Sequence, residues 1–258
     1  MSKFISIIIS AMLALCLLTA RAEGKAASVR LGPEVALGAF MGLVEEHLAG
    51  ILRTETVIAA STEAKSASWD EVRPLLERFR NDLPTDATIW FMMSDGSYYS
   101  TEKGGLTDQN LRDRAYFAKL MAGQDILGEL VISKSTGQRS IVVAAPVLAA
   151  DGKVVAAVGV SVDSVRLAGV VDSSMTLPEN AYFYALDANT KIVLHRNHAR
   201  MFRTVAEVGD ESLGDAFKAV MGKEHGSFDY VLNGKKMTSI FRKSPALGWY
   251  FFIAQERK

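Results

Sequence analysis

The sequence predicts an α+β protein: a long N-terminal helix, then two PAS-like units, each an antiparallel five-stranded sheet with a helical cover. Residues 88–162 and 181–255 repeat one order of elements, which is strand, turn, strand, helix and three more strands. Turn signals that accept positive φ angles separate the alternating apolar runs. The first stretch has Asp95-Gly96, Thr136-Gly137 and Asp151-Gly152, and the second has residues 187–190 and Asn233-Gly234. Such a sheet leaves room for a small-molecule pocket beneath its cover.

The N-terminus has the features of a signal peptide. Lys3 precedes an apolar run over residues 4–18, and Ala20-Arg21-Ala22 offers the small residues that a signal peptidase reads. We therefore expect residues 1–22 to be removed and the protein to be periplasmic. An uncleaved segment that anchors the chain in the inner membrane is the alternative. The single cysteine, Cys16, lies in this segment, and Leu15 before it is too large for a lipid-attachment site.

Composition limits the classes of function. The 29 basic and 29 acidic residues balance, so we expect no nucleic-acid partner. The motifs of serine hydrolases and zinc proteases are missing from the sequence, so we expect neither catalytic residues nor a cofactor. His195 and His198 are three residues apart and His225 lies near a turn, but no third ligand of fixed spacing follows, so we expect no metal site.

The helical region is predicted at residues 23–87. A long helix over residues 33–64 has one apolar stripe with alternating spacings of four and three. Its three glycines weaken it, so it must pack against the sheets or against a second copy in a homodimer. A second helix is predicted at 69–81, with Ser68 as its N-cap and Glu71 completing a capping box. The stripe consists of Leu37, Met41, Val44, Leu48, Ile51, Glu55 and Ile58.

The domain boundaries follow from this order. The first unit is assigned to residues 88–170 and the second to residues 171–258. The connector at 163–180 contains Ser173, Ser174 and Pro178, and we place the boundary inside it.

An ordered set of motifs resembles the double Cache (dCache) domains, the tandem extracellular sensor modules of bacterial chemoreceptors and histidine kinases. After Asp95-Gly96 come residues 114–117 (Arg-Ala-Tyr-Phe), 133–137 (Ser-Lys-Ser-Thr-Gly) and 158–162 (Val-Gly-Val-Ser-Val). The second unit adds residues 195–197, 226–230 and 247–250. Family members commonly place the module between two membrane helices with a signalling domain inside the cell. We expect this chain to act as a stand-alone exported protein, which departs from that pattern.

The resemblance implies a ligand site in the first unit. Arg114 matches an arginine that meets a ligand carboxylate, which suits the planar fork of a guanidinium, and Tyr116 can close the site. An ordinary ion pair of Arg114 with Asp113, Asp108 or Asp125 is the alternative. The first strand offers Trp90 and Ser94, on one face with Met92, and small residues on later strands leave space for a ligand. These small residues are Ser133, Ala145 and Ser161.

One difference from the amine-recognising relatives indicates the kind of ligand. Amine-recognising relatives have an aspartate where this chain has Ser161, although Asp163 follows two residues later. We therefore expect a periplasmic sensory protein that binds a small carboxylate and presents it to a membrane receptor or histidine kinase. An amino-acid or amine ligand is one alternative. The other is a protein-interaction module with a vestigial pocket, filled by Trp90, Met92 and Tyr116.

Overall fold

Helix α1 (Pro33–Ala59) packs along both sheets of the protein. The computed structural model describes residues 32–83, 85 and 87–257, so the predicted signal segment 1–22 lies outside the described residues. The helix contacts the last three strands of the first sheet and the last two strands of the second. It is long and apolar enough to cross a membrane, but the predicted stripe is buried against the sheets except for Met41, which is half-buried. The stripe thus packs within the chain, and a homodimer through this helix stays a prediction.

The long helix ends earlier than predicted. A turn at Ala60 and Ser61 separates α1 from the short α2 (Thr62–Lys65), where the Ser61 hydroxyl accepts a hydrogen bond from Ala64 N at 3.1 Å. Helix α3 (Trp69–Asp82) begins at the predicted residue, but Ser68 makes no side-chain capping bond, so the predicted capping box is wrong. Ser68 N instead donates to the Ser66 hydroxyl at 3.2 Å.

The first sheet has six antiparallel strands, one more than predicted. The strands are β1 (Ala87–Met93), β2 (Ser97–Ser100), β3 (Gly105–Asn110), β4 (Ile126–Ile132), β5 (Arg139–Leu148) and β6 (Val154–Asp163). Their order across the sheet is β3-β2-β1-β6-β5-β4, and the short helix α4 (Phe117–Met121) precedes β4. The additional strand is β3, which pairs only with β2 at the edge.

The second sheet has the five predicted antiparallel strands. They are β7 (Ala181–Leu186), β8 (Ile192–His195), β9 (His225–Leu232), β10 (Lys235–Lys243) and β11 (Tyr250–Glu256), in the order β8-β7-β11-β10-β9. A 3-10 turn (His198–Arg200) and helices α6 (Val205–Val208) and α7 (Glu211–Lys218) lie between β8 and β9. Without β3, the two sheets have the same strand order, which agrees with the repeat seen in the sequence.

The connector between the sheets is mostly helical. Asp163 caps helix α5 (Ser164–Ser174), since its carboxylate accepts hydrogen bonds from Val165 N at 2.7 Å and Arg166 N at 3.1 Å. The proposed boundary at 170/171 therefore falls inside a helix.

The two faces of the first sheet belong to different clusters of buried side chains. One face joins α1, α3, α5 and the second sheet in a continuous core that includes Phe91, Val143 and Val160. The opposite face carries a smaller cluster under α4 and the loop before it, which includes Trp90, Met92 and Tyr116. This second cluster occupies the space in which the sequence predicts a ligand.

Candidate functional site

The predicted pocket of the first unit is filled by its own side chains. Trp90 and Tyr116 are buried, and their rings stack with centroids 6.1 Å apart and planes at 18°. Met92 and Leu120, also buried, belong to the same cluster. The structure therefore brings Trp90 and Tyr116 together as predicted, but in contact with each other.

Trp90 is held in place by a polar contact as well as by packing. Its indole Nε1 donates a hydrogen bond to the hydroxyl of Ser161 at 3.1 Å. Ser161 lies on the same face of the sheet as Trp90, because it follows buried Ala157 at a spacing of four along β6. One of the small residues expected to leave space for a ligand thus accepts a hydrogen bond from the side chain that fills it.

Arg114 lies in the loop before α4 with its guanidinium only partly satisfied. Its Nη2 donates to the carbonyl oxygen of Ile132 at 2.6 Å, while its Nε is buried and has no hydrogen-bond partner among the described residues. Within that part of the chain no carboxylate forms an ion pair with it, so the alternative of a pair with Asp108, Asp113 or Asp125 is not realised.

The acid next to Arg114 has a different partner. Lys134 Nζ donates to Asp113 Oδ1 at 2.5 Å and to the carbonyl oxygen of Asn110 at 2.6 Å. Leu111, which is buried, closes the start of the loop by donating from its backbone N to Gly96 O at 2.7 Å. These bonds fix the loop that carries Arg114 to the sheet.

Tyr116 is buried but lies within the electrostatic range of several charged side chains. Burial raises the pKa of its phenol far above the ordinary value, and the nearby charge of Arg114 opposes that rise. Tyr98, Asp113 and Glu129 raise the pKa slightly further. Tyr116 is therefore a neutral hydroxyl next to a guanidinium, a pair of donors suited to a carboxylate.

Three predicted site residues do not lie with this pair. Ala145 points to the opposite face of the sheet and packs in the core with α1. Ser94 is exposed in the turn after β1. Ser133 is buried in the turn after β4, where its hydroxyl accepts from Thr136 N at 3.3 Å. Asp163, considered as an acid for an amine, is the cap of α5.

The histidines do not form a metal site in the part of the chain that the structure describes. There, no group of three or more His, Cys, Asp or Glu side chains could hold a metal ion. His195 is the last residue of β8 and His198 starts the 3-10 turn, so the pair does not lie on one helical face.

Comparison with known proteins gives a family and a fold. The sequence profile of the Cache domain (dCache_1) matches residues 37–258. The ligand-binding domain of the Pseudomonas aeruginosa PAO1 amino acid chemoreceptor PctB, solved with L-arginine, superposes with a TM-score of 0.71 at 19% identity, over 87% of this chain and 93% of the other. No curated protein matches the sequence significantly.

Two further solved structures have the same fold. A Campylobacter jejuni chemoreceptor domain in complex with 4-methylisoleucine gives a TM-score of 0.67 at 15% identity and covers 87% of this chain and 89% of the other. The sensor domain of the V. cholerae histidine kinase DctB gives 0.65 at 17% identity, over 87% and 96% of the two chains. At these identities the likeness establishes the fold alone.

Proposed function

Because the chain belongs to the Cache domain family of ligand-binding sensory domains, we propose that it is an exported sensor that binds a small carboxylate in its first unit. The observation that carries the proposal is Arg114. Its Nε is buried without a partner and no described carboxylate pairs with it. A buried donor without an acceptor is costly, and a ligand carboxylate would supply that acceptor.

Binding requires the first unit to open. Trp90 and Tyr116 occupy the space beside Arg114, so one of the two rings has to turn away before a ligand enters. The arrangement in which the two rings pack together is then the ligand-free state of the sensor. The free energy needed to separate the rings reduces the free energy of ligand binding. Turning of the Trp90 ring would break its hydrogen bond to Ser161 and change the edge where α5 begins.

The proposed class of ligand rests on which acidic residues could pair with an amine of the ligand. Asp163, the last residue of the closing strand, is engaged as a helix cap, and Ser161 stands where amine-binding relatives have an aspartate. The acid of the closing strand is therefore committed to α5 and not to a ligand. The chemoreceptor relatives were solved with amino acids. We nevertheless propose a plain carboxylate for this chain, which it presents to a membrane receptor or a histidine kinase.

A second candidate function is supported by the same packing. If the rings of Trp90 and Tyr116 never separate, the first unit is a protein-interaction module with a vestigial pocket. The two candidates differ in one property, which is the binding of a small molecule that depends on Arg114.

Calorimetry with a panel of short-chain mono- and dicarboxylates tests the proposal. Arg114→Ala should weaken binding by about 2–5 kcal/mol, because it removes the charged partner of a desolvated carboxylate. The matched control is Arg112→Ala, which removes an exposed guanidinium from the same loop and should leave the affinity unchanged. If no acid binds the wild type, or both variants bind as the wild type does, the first-unit site is refuted and the interaction module is favoured.

A further inference from the structure

The second unit contains a cavity that the sequence did not single out. It lies between the sheet and helices α6 and α7, with a volume of about 30 Å³. Val205, Leu213 and Phe217 form an apolar wall, and His195, Arg200 and Tyr230 contribute the polar groups. Apolar walls with a few converging polar groups are typical of small-molecule sites.

The tautomer of His195 follows from its hydrogen bonds. The backbone N of Asn197 donates to His195 Nδ1 at 2.7 Å, so Nδ1 is an acceptor and carries no proton. Burial, together with the nearby charge of Arg200, lowers the pKa of His195 to about 3, so the ring is neutral at pH 7. A neutral imidazole has one N–H, and here it must be on Nε2.

This assignment places two donors against each other. Arg200 Nη1 lies 3.3 Å from His195 Nε2, and both nitrogens carry protons, so the contact cannot be a hydrogen bond. Within the described residues no carboxylate pairs with Arg200. The guanidinium of Arg200 and the Nε2–H of His195 therefore face each other as two donors. An oxygen atom of a ligand placed between them would accept a hydrogen bond from both.

A third donor is available at the same end of the cavity. The Ser239 hydroxyl donates to the carbonyl oxygen of Ile253 at 3.2 Å, so it accepts from the Tyr184 hydroxyl at 3.1 Å. Tyr230 lies 3.4 Å from the Tyr184 hydroxyl, a long contact, and Arg200 acts electrostatically on its phenol. The Tyr230 proton can therefore turn to a ligand next to Arg200.

From this geometry we infer a second ligand site, in which a short-chain monocarboxylate binds in the second unit with its carboxylate on Arg200, His195 Nε2–H and Tyr230. Its alkyl group lies against Val205, Leu213 and Phe217. A single water needs about 10–15 Å³ on the same measure, so the 30 Å³ cavity has room for an alkyl group of about two to three carbon atoms. This site is separate from Arg114 and excludes amino acids with larger side chains.

Nuclear magnetic resonance of the imidazole nitrogens tests the site directly. The chain has four histidines, so the His195 signals can be assigned by a His195 substitution. The ligand-free wild type should show the Nε2–H tautomer at pH 7. Sodium propionate, added at constant ionic strength against sodium chloride, should shift the His195 Nε2 and Hε2 signals in a saturable way, while chloride alone should not.

Substitutions then test whether the carboxylate lies on Arg200 and Tyr230. Arg200→Met should weaken propionate binding about 30-fold or more, since it removes the charge that faces the carboxylate. The matched control Arg203→Met, which removes an exposed guanidinium three residues away, should bind as the wild type does. Tyr230→Phe keeps the ring and removes only the hydroxyl, so it should also weaken propionate binding. This variant tests the site if Arg200→Met does not fold.

Three results would overturn the inference. They are an Nδ1–H tautomer in the wild type, no saturable shift with acetate, propionate or butyrate, and equal affinities for wild type and Tyr230→Phe. The result is independent of the first-unit proposal, because Arg114→Ala should leave the propionate-dependent shift of His195 unchanged.

Discussion

The indole ring of Trp90 occupies the space directly over Gly159, where a methyl group would lie 2.0 Å from Trp90 Cζ2. These two residues face each other on β1 and β6. The absent side chain at Gly159 is therefore what lets Trp90 fill the first unit, and the two residues together determine whether the predicted pocket is closed.

Gly159→Ala tests this relationship. The added methyl group must displace the Trp90 ring, so we expect a loss of about 1–3 kcal/mol in the free energy of unfolding and a weaker hydrogen bond to Ser161. Urea denaturation gives the first quantity and the red shift of tryptophan fluorescence reports the second.

Gly169→Ala is the control for this substitution. Gly169 lies in helix α5 with open space around it, so the variant should be as stable as the wild type or more stable by up to about 1 kcal/mol. Equal stabilities for Gly159→Ala and Gly169→Ala would mean that Trp90 is not held against Gly159.

Turn chemistry and strand order were sufficient to predict both sheets, because each hairpin is bounded by residues with positive φ, such as Gly96 and Asn233. Strand β3 was missed because it is mostly exposed and polar, so it has no apolar periodicity. Ala145 was placed on the wrong face since β5 is buried on both faces, and a continuous apolar strand does not indicate which side chains face which cluster.

The polar groups of the second unit could not be predicted for a related reason. His195 and Arg200 meet only because the chain makes a 3-10 turn between them, and Tyr230 joins them from a different strand. The spacing of two histidines drew attention to metal binding, whereas the decisive signal is the backbone N–H of Asn197, which no sequence pattern shows.

Ser161→Asp should change the class of ligand in the first unit. The carboxylate would stand where amine-binding relatives have an aspartate, and it can still accept the hydrogen bond from Trp90 Nε1. We expect weaker binding of plain carboxylates, because two like charges then share the site, and new binding of amino acids. Calorimetry with matched pairs that are too large for the cavity of the second unit, such as succinate and aspartate, measures both changes.

Ser161→Ala is the control for that exchange. It removes the acceptor from Trp90 Nε1 without adding a charge, so it should cost about 1 kcal/mol of stability and leave the preference between acids and amino acids unchanged. A ligand preference that is the same in Ser161→Asp and in the wild type would argue against a ligand near Ser161.

Export is a prediction from residues 1–22. If Ala20-Arg21-Ala22 is a cleavage site, protein recovered from the periplasm should begin at Glu23. N-terminal sequencing measures this directly. Ala22→Leu should block processing because it removes a small residue that the peptidase reads. Intact Met1 in a membrane fraction of cells that express the wild type would instead indicate an anchor.

The last prediction concerns Glu55, which lies on the buried stripe of α1. Both carboxyl oxygens are buried and have no hydrogen-bond partner among the described residues. Burial raises the pKa of Glu55 well above its ordinary value, and the charge of Asp125 raises it further. The backbone of Val160 lowers it by a smaller amount, without a hydrogen bond of normal geometry.

The raised pKa gives the pH dependence its sign. Between the unfolded and the folded pKa the native state binds the extra proton, so stability falls as the pH rises through this range. The stability that the protonated Glu55 carboxyl contributes is fully retained below the unfolded pKa. Glu55→Gln cannot ionise, so it should match the wild type at low pH and exceed its stability by roughly 1–3 kcal/mol above the folded pKa.

Urea denaturation of both proteins from about pH 4 to pH 9 checks this expectation. The control is Glu46→Gln, an exposed side chain on the same helix, which should follow the wild type to within about 0.5 kcal/mol at every pH. If Glu55→Gln and the wild type lose stability in parallel as the pH rises, Glu55 does not carry a proton in the folded protein. A steeper loss in the wild type means that the docking of α1 on the first sheet weakens as this carboxyl ionises.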